Sequence, residues 1–167
     1  MRKILFLSLV LINFICYSQN EIKQRKPFVL KLAVDNDQFY KTNVEKSNYF
    51  VKENILQIYP TEKLNIEVQV SNNSISSMKV VKDIVKPKTT IQIEFKQNVK
   101  DRKSESMMLI VKNPFNKNLI YDAQMYIVGH NKWIQTSIMP IAPNIIGYET
   151  WSDVIITLAL SRWRFEK

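Results

Sequence analysis

Apolar and polar residues alternate along much of the chain with a period of two, the spacing expected of a strand that buries one face. The alternation is clearest in residues 63–70 and 90–95, where every second side chain is apolar. Residues 28–34 repeat it. We therefore expect these segments to form antiparallel strands with one face in the core and one in solvent.

Other segments carry apolar residues on both faces and predict strands in the interior of a sheet. They are residues 107–111, 119–128 and 154–160. Shorter strand-like segments at 49–51, 55–59, 78–85 and 132–139 bring the expected total to eight to ten strands. The polar stretch 35–48 is the longest expected connection and has room for a helical turn.

Turns between these segments are rich in asparagine, which tolerates the left-handed backbone region better than most residues. The plainest turns are 71–74, 113–118 and 129–131. Many short strands without a long helical segment predict an all-β fold, an immunoglobulin-like antiparallel β-sandwich, with a closed β-barrel as the alternative. We assign residues 27–167 to this single domain and residues 19–26 to a flexible N-terminal tail.

The first 18 residues have the pattern of a secretory signal peptide, with a basic start followed by an apolar run. We expect cleavage near Ser18/Gln19, which would deliver the protein to the periplasm or the extracellular medium. A lipoprotein signal at Cys16 is the alternative, but Ile15 stands where that chemistry needs a small residue. The apolar run of about 12 residues is shorter than the about 20 of a spanning helix, which argues against an uncleaved anchor. No other stretch is long and apolar enough to span, so no transmembrane segment is expected after cleavage.

Composition argues against most catalytic and cofactor chemistry. The only cysteine leaves with the leader, His130 has no second histidine to share a metal, and two glycines cannot form a phosphate-binding loop. We therefore expect no enzyme activity, no metal and no cofactor.

The formal net charge is +9, but lysine is abundant together with asparagine and isoleucine, as codon bias alone would produce. We expect no nucleic-acid partner, and we interpret the basic residues 96–103 as a solvated hairpin loop.

Aromatic residues near the C-terminus are the best candidates for ligand contacts, because flat rings stack on sugars and peptides. Trp133, Tyr148 and Trp151 border turns or polar residues, and Glu149 adds a carboxylate beside them. These four residues are the candidate ligand-binding site. Trp163, in an Arg-Trp-Arg-Phe sequence, is expected to point into the core with the arginines on the other face.

Asn113-Pro114, residues 119–123 and residues 149–151 together resemble small exported proteins of Gram-negative bacteria with an immunoglobulin-like β-sandwich. The resemblance implies a fold and a compartment, and it carries over no catalytic residue. The expected function is a non-enzymatic binding or structural module of the cell envelope, with a protein or glycan partner.

Two other functions stay open at this stage. One is a carbohydrate-binding module that stacks sugars on Trp133 and Trp151. The other is an envelope hydrolase built on two carboxylates among Asp122, Glu149 and Asp153.

For protein partners, the open edges of a sandwich are the natural contact, and the lysine-rich segment 78–88 predicts an edge that is protected from pairing.

Overall fold

The computed structural model describes residues 20–35 and 37–166, so the expected leader lies outside the described residues. Among these residues the regular structure is almost entirely β, with a single 3-10 turn at Pro87–Thr89. No helix in the described part is long and apolar enough to cross a membrane. The strands are β1 (Gln24–Arg25), β2 (Phe28–Asp35), β3 (Gln38–Val44), β4 (Ser47–Asn48), β5 (Phe50–Lys52), β6 (Ile55–Ile58), β7 (Lys63–Ser71), β8 (Ser74–Val81), β9 (Thr90–Lys100), β10 (Lys103–Lys112), β11 (Leu119–Ile127), β12 (Trp133–Thr136), β13 (Ile146–Trp151) and β14 (Ile155–Phe165).

Ten of these strands form two five-stranded antiparallel sheets. Sheet A has the order β13-β10-β9-β7-β8, and sheet B has the order β12-β11-β14-β6-β5. The predicted antiparallel sandwich is confirmed, and the described strands do not close into a barrel. There are more strands than the eight to ten expected, and the additional ones are β1, β3, β4 and β13. β1 and β4 are only two residues long, and β3 and β13 bury one residue or none completely, so none of the four shows a clear hydrophobic period.

The main core lies between the two sheets and follows the alternation in the sequence. Ile66 of β7, Phe95 of β9 and Leu109 of β10 are fully buried on the inner face of sheet A. Leu158 and Leu160 of β14 oppose them from sheet B. Since a period of two puts alternate side chains on one face, the polar partners in these strands face outward.

The turns use asparagine and charged residues in the left-handed region, as the composition requires. Asn72 and Asn73, in the β7–β8 turn, have φ values of 48° and 63°. Residues 96–103 form the end of the β9–β10 hairpin, with Asp101 and Arg102 at its tip in the same backbone region. A hairpin is therefore present as expected, but residues 96–100 belong to β9 and only residues 101–102 form the loop.

The polar stretch 35–48 is not a long loop but the second half of a hairpin. β2 and β3 pair from Phe28↔Val44 to Asp35↔Gln38. This hairpin buries Leu30 and Leu32 in a second small core against Ile156 of sheet B. The expectation of a connecting loop was wrong because β3 has only one fully buried residue, Val44, and so shows no hydrophobic alternation.

Residues 20–26, expected to be a tail, are hydrogen-bonded to both sheets. Asn20 and Ile22 pair with the edge of β8 through Ile22 N–H to Val80 O and Lys82 N–H to Asn20 O, both 2.8 Å. A few residues later, β1 pairs with β4. The segment therefore closes one side of the sandwich, which corrects the expectation of a free end.

Arg25 anchors this segment although it lies in a polar, unpatterned part of the sequence. Its side chain is 1% exposed, and its Nε donates to Glu62 Oε1 at 2.9 Å. Its Nη atoms donate to Ser47 Oγ at 2.9 Å and to the Gln57 carbonyl at 2.6 Å. The guanidinium also lies 4.9 Å from the centre of the Tyr59 ring, so burial of its charge is compensated on every side.

Candidate functional site

Tyr148 lies on the outer face of sheet A, on the edge strand β13. It is 60% exposed, and Ile146 on the same strand is 43% exposed. Tyr148 is paired with Ile110 of β10, so three large apolar side chains share this face. A shallow groove of about 300 Å³ begins beside Ile146 and is lined further by Lys112 and Glu94. We call this face the β13 surface.

β13 differs from the other edge of sheet A in how it is protected. At β8 the second half of the edge is paired with residues 20–22, and the strand carries Lys79. This agrees with the protected edge predicted for residues 78–88. Within the described residues no strand pairs with the outer edge of β13, and its outward side chains carry no charge. Natural proteins usually guard such edges with lysine, proline or a covering segment.

Glu149 and Trp151, the next candidate residues, point in the opposite direction, between the two sheets. Glu149 accepts a hydrogen bond of 2.8 Å from the backbone N–H of Met139. Trp151 packs against the main core and donates its indole N–H to Thr136 Oγ1 of β12 at 2.9 Å. The two residues share a face, as the alternation predicts. Their side chains form contacts inside the protein, with Met139 and Thr136, and do not form an exposed ligand-binding surface.

Trp133 lies on β12, the edge strand of sheet B, and faces outward. It is 41% exposed and contacts Tyr126 with ring centroids 5.5 Å apart. Trp133 projects from the outer face of β12, whereas Trp151 of β13 contacts the inner face of the same strand at Thr136. The two rings therefore do not form one stacking platform. Of the two tryptophans, Trp133 has the open ring.

The three candidate carboxylates are also separated. Asp122 lies on the outer face of sheet B, where Arg162 and Arg164 pair with it. Glu149 faces the interior from sheet A, and Asp153 is exposed in the turn after β13. Asp122 and Glu149 thus lie on different sides of sheet B, which is not the facing arrangement of a two-carboxylate hydrolase.

Arg162 occupies an irregular position that sequence reasoning did not single out. The register between β11 and β14 shifts between Ile120 and Asp122, and Arg162 has φ 51°. A left-handed backbone costs a non-glycine residue about 1–2 kcal/mol. The extra residue of this bulge lets Arg162 and Arg164 both reach Asp122 on the outer face, while Trp163 between them is buried as expected.

Trp163 stacks on Tyr121 inside the sandwich, with ring centroids 4.6 Å apart. The Tyr121 hydroxyl and the Trp163 indole N–H are buried and have no hydrogen-bond partner among the described residues. Burial, and to a lesser degree the charge of Glu149, raises the pKa of Tyr121 well above its ordinary value. The pair fills space but leaves two polar atoms unsatisfied, which costs stability.

Among the described residues no group of three or more histidine, cysteine, aspartate or glutamate side chains is placed to hold a metal ion. Comparisons with known proteins do not identify a family: no protein-family model, no curated protein and no solved structure matches the chain. The resemblance to small exported proteins of Gram-negative bacteria stays a prediction.

Proposed function

We propose that this protein is a non-enzymatic binding module of the bacterial cell envelope that recognises a protein partner through the β13 surface. The observation that carries the proposal is the unpaired, uncharged edge of β13 with Ile146 and Tyr148 exposed beside it. The proposed location, periplasmic or secreted, rests on the signal-peptide pattern in residues 1–18.

An edge strand of this kind can accept an extended segment of another protein as an additional strand. The backbone of β13 offers unpaired N–H and C=O groups, and these supply affinity without regard to sequence. Side chains at alternate positions of the partner would lie against Tyr148 and Ile146, and these contacts supply selectivity. The partner segment is therefore expected to be extended, with apolar residues at every second position.

The test is a comparison of edge variants in an envelope extract. Ile146→Lys and Tyr148→Lys place a charge on the edge, as natural proteins do to prevent pairing. Val99→Lys is the matched control, because Val99 is 52% exposed but lies near the β9–β10 turn, away from β13. Quantitative mass spectrometry then compares the proteins that each immobilised variant retains.

We expect a partner that wild type and Val99→Lys retain equally and that both β13 variants lose. Amide hydrogen exchange of the purified complex should then show new protection in residues 146–151. Retention that is unchanged in both β13 variants would refute the proposal. Light scattering distinguishes pairing with a second copy, which would double the mass of the purified chain.

A further inference from the structure

The outer face of sheet B carries a polar groove on the open half of the sheet. Its lining from β14 includes the small residue Ser161, and Ala159 lies two residues earlier on the same face. Ala159 lies between Gln124 of β11 and Gln57 of β6 in the strand register. Small residues between longer ones leave a trough, and its volume of about 510 Å³ lies within the range of ligand sites.

The lining of this groove is unusually rich in side-chain amides. Gln124 and Gln135 pair across β11 and β12, and Asn54 faces them from the β5–β6 turn. Ser161 adds a hydroxyl. Each amide can donate and accept at once, which matches adjacent hydroxyl groups on a sugar ring.

The charge of the groove favours a carboxylate on that sugar. Arg162 lines the groove with a side chain that is 73% exposed, and Lys52 and Glu53 lie opposite with charges that offset each other. Arg162 and Arg164 share the single carboxylate of Asp122, so the group keeps one net positive charge. A guanidinium has five donors, and Arg162 can therefore hold Asp122 and still bind a second carboxylate.

A second groove lies at the C-terminal end of β14, next to the β7–β8 turn of sheet A. It has a volume of about 590 Å³, and its polar lining comes from Arg164, Glu166 and the β7–β8 turn at Asn72, Asn73 and Ser74. Both grooves include Trp163 in their walls. Because the two grooves share Trp163 and each contains one arginine of the pair, they suit a chain of sugars better than a single one.

An exposed aromatic residue lies on the same face of sheet B as the first groove. Trp133 lies two residues before Gln135 on β12, so both side chains project from the outer face of sheet B. Trp133 is 41% exposed. An exposed aromatic ring on the face that carries these amides and Arg162 can stack on one sugar while the polar groups bind its neighbours.

We propose that these grooves bind an acidic oligosaccharide, with Arg162 on a sugar carboxylate, Gln124 and Gln135 on hydroxyls, and Trp133 stacked on a neighbouring ring. The left-handed backbone of Arg162 supports this assignment, because glycine would fit the bulge without strain and arginine is there instead. This site goes beyond the proposed function, since it lies on sheet B and β13 belongs to sheet A.

Isothermal titration calorimetry with polygalacturonate tests the proposal. The comparison ligand is the methyl-esterified polymer, which has the same backbone but no free carboxylate. We expect binding of polygalacturonate and a loss of at least about ten-fold in affinity for the ester, as for a hydrogen bond between charged groups. Equal binding of both polymers, or no binding of polygalacturonate, would overturn the assignment to an acidic sugar.

Arg162→Gly separates binding from folding. It removes the guanidinium and relieves the left-handed backbone, so the thermal transition should stay or rise while affinity falls about ten-fold or more. Trp133→Ala and Gln124→Ala should also weaken binding. Lys100→Gln removes the same charge from the exposed β9–β10 hairpin and should leave affinity unchanged. A loss with Lys100→Gln equal to that with Arg162→Gly would show non-specific attraction and would overturn the site.

Discussion

Arg25 offers the sharpest test of how the N-terminal segment is held. In Arg25→Met the side chain keeps much of its length but loses the donors to Glu62, Ser47 and Gln57. Glu62, whose side chain is 10% exposed, is left without its cation. Removing one partner of a buried ion pair costs about 3–5 kcal/mol.

The lower end of that range applies here, because Glu62 Oε2 still accepts the Tyr59 backbone N–H at 2.8 Å. We therefore expect the free energy of unfolding to fall by about 3 kcal/mol, a large part of the about 5–15 kcal/mol of a typical domain. For a domain of this size the melting temperature should fall by about 6–12 °C.

Urea unfolding followed by tryptophan fluorescence and by circular dichroism measures the change. Lys26→Met is the control, since Lys26 is the exposed neighbour and its replacement should change stability by no more than about 0.5 kcal/mol. The double variant Arg25→Met/Glu62→Gln should recover part of the loss, because the amide keeps an acceptor for Tyr59 without a buried charge. If Arg25→Met destabilises no more than Lys26→Met, the guanidinium is not buried in solution and the segment is not docked.

Three other substitutions test the interior. Tyr121→Phe removes a buried hydroxyl that lacks a partner and should raise stability by up to about 1–3 kcal/mol. Because burial raises the pKa of Tyr121, the unfolded chain loses this proton more readily than the folded chain, and wild type therefore loses stability as the pH rises above 10. The phenylalanine variant has no such proton, so its free energy of unfolding should fall less above pH 10, as chemical denaturation at several pH values would measure. Gly147→Ala places a Cβ 2.7 Å from Ile141 Cγ1 and should lower the free energy of unfolding by about 1–3 kcal/mol. If the clash is the cause, calorimetry should show that the double variant Gly147→Ala/Ile141→Ala loses less stability than the sum of the two single variants. Trp151→Ala should cost about 3–5 kcal/mol and Trp133→Ala far less, and equal losses in thermal unfolding would contradict their placement.

The regular strands could be predicted because their buried faces repeat every second residue. β7 and β9 are the clearest cases, with Ile66 and Phe95 inward and polar neighbours outward. β3 could not be predicted in this way, since it lies in a hairpin that buries only Val44 completely among its own residues. A strand is visible in the sequence only to the extent that the core selects its side chains.

The candidate site was predictable in part and for a similar reason. Tyr148 stands out as an aromatic residue beside a turn, and it is exposed as a contact residue needs to be. Trp151 has the same local pattern but meets Thr136, and that contact depends on two sheets coming together. Arg25 and Arg162 carry no local signal, because burial of the first and the bulge of the second depend on partners far away in the sequence.

The unequal edges of sheet A also limit the stoichiometry of any complex formed by strand addition. Two copies that met at β13 would present only their β8 edges at the outside of the joined sheet, and residues 20–22 of each copy already occupy part of those edges. Further growth would have only the uncovered first half of each β8 strand to use. An edge that is covered in this way limits the propagation of such a pair into a fibre.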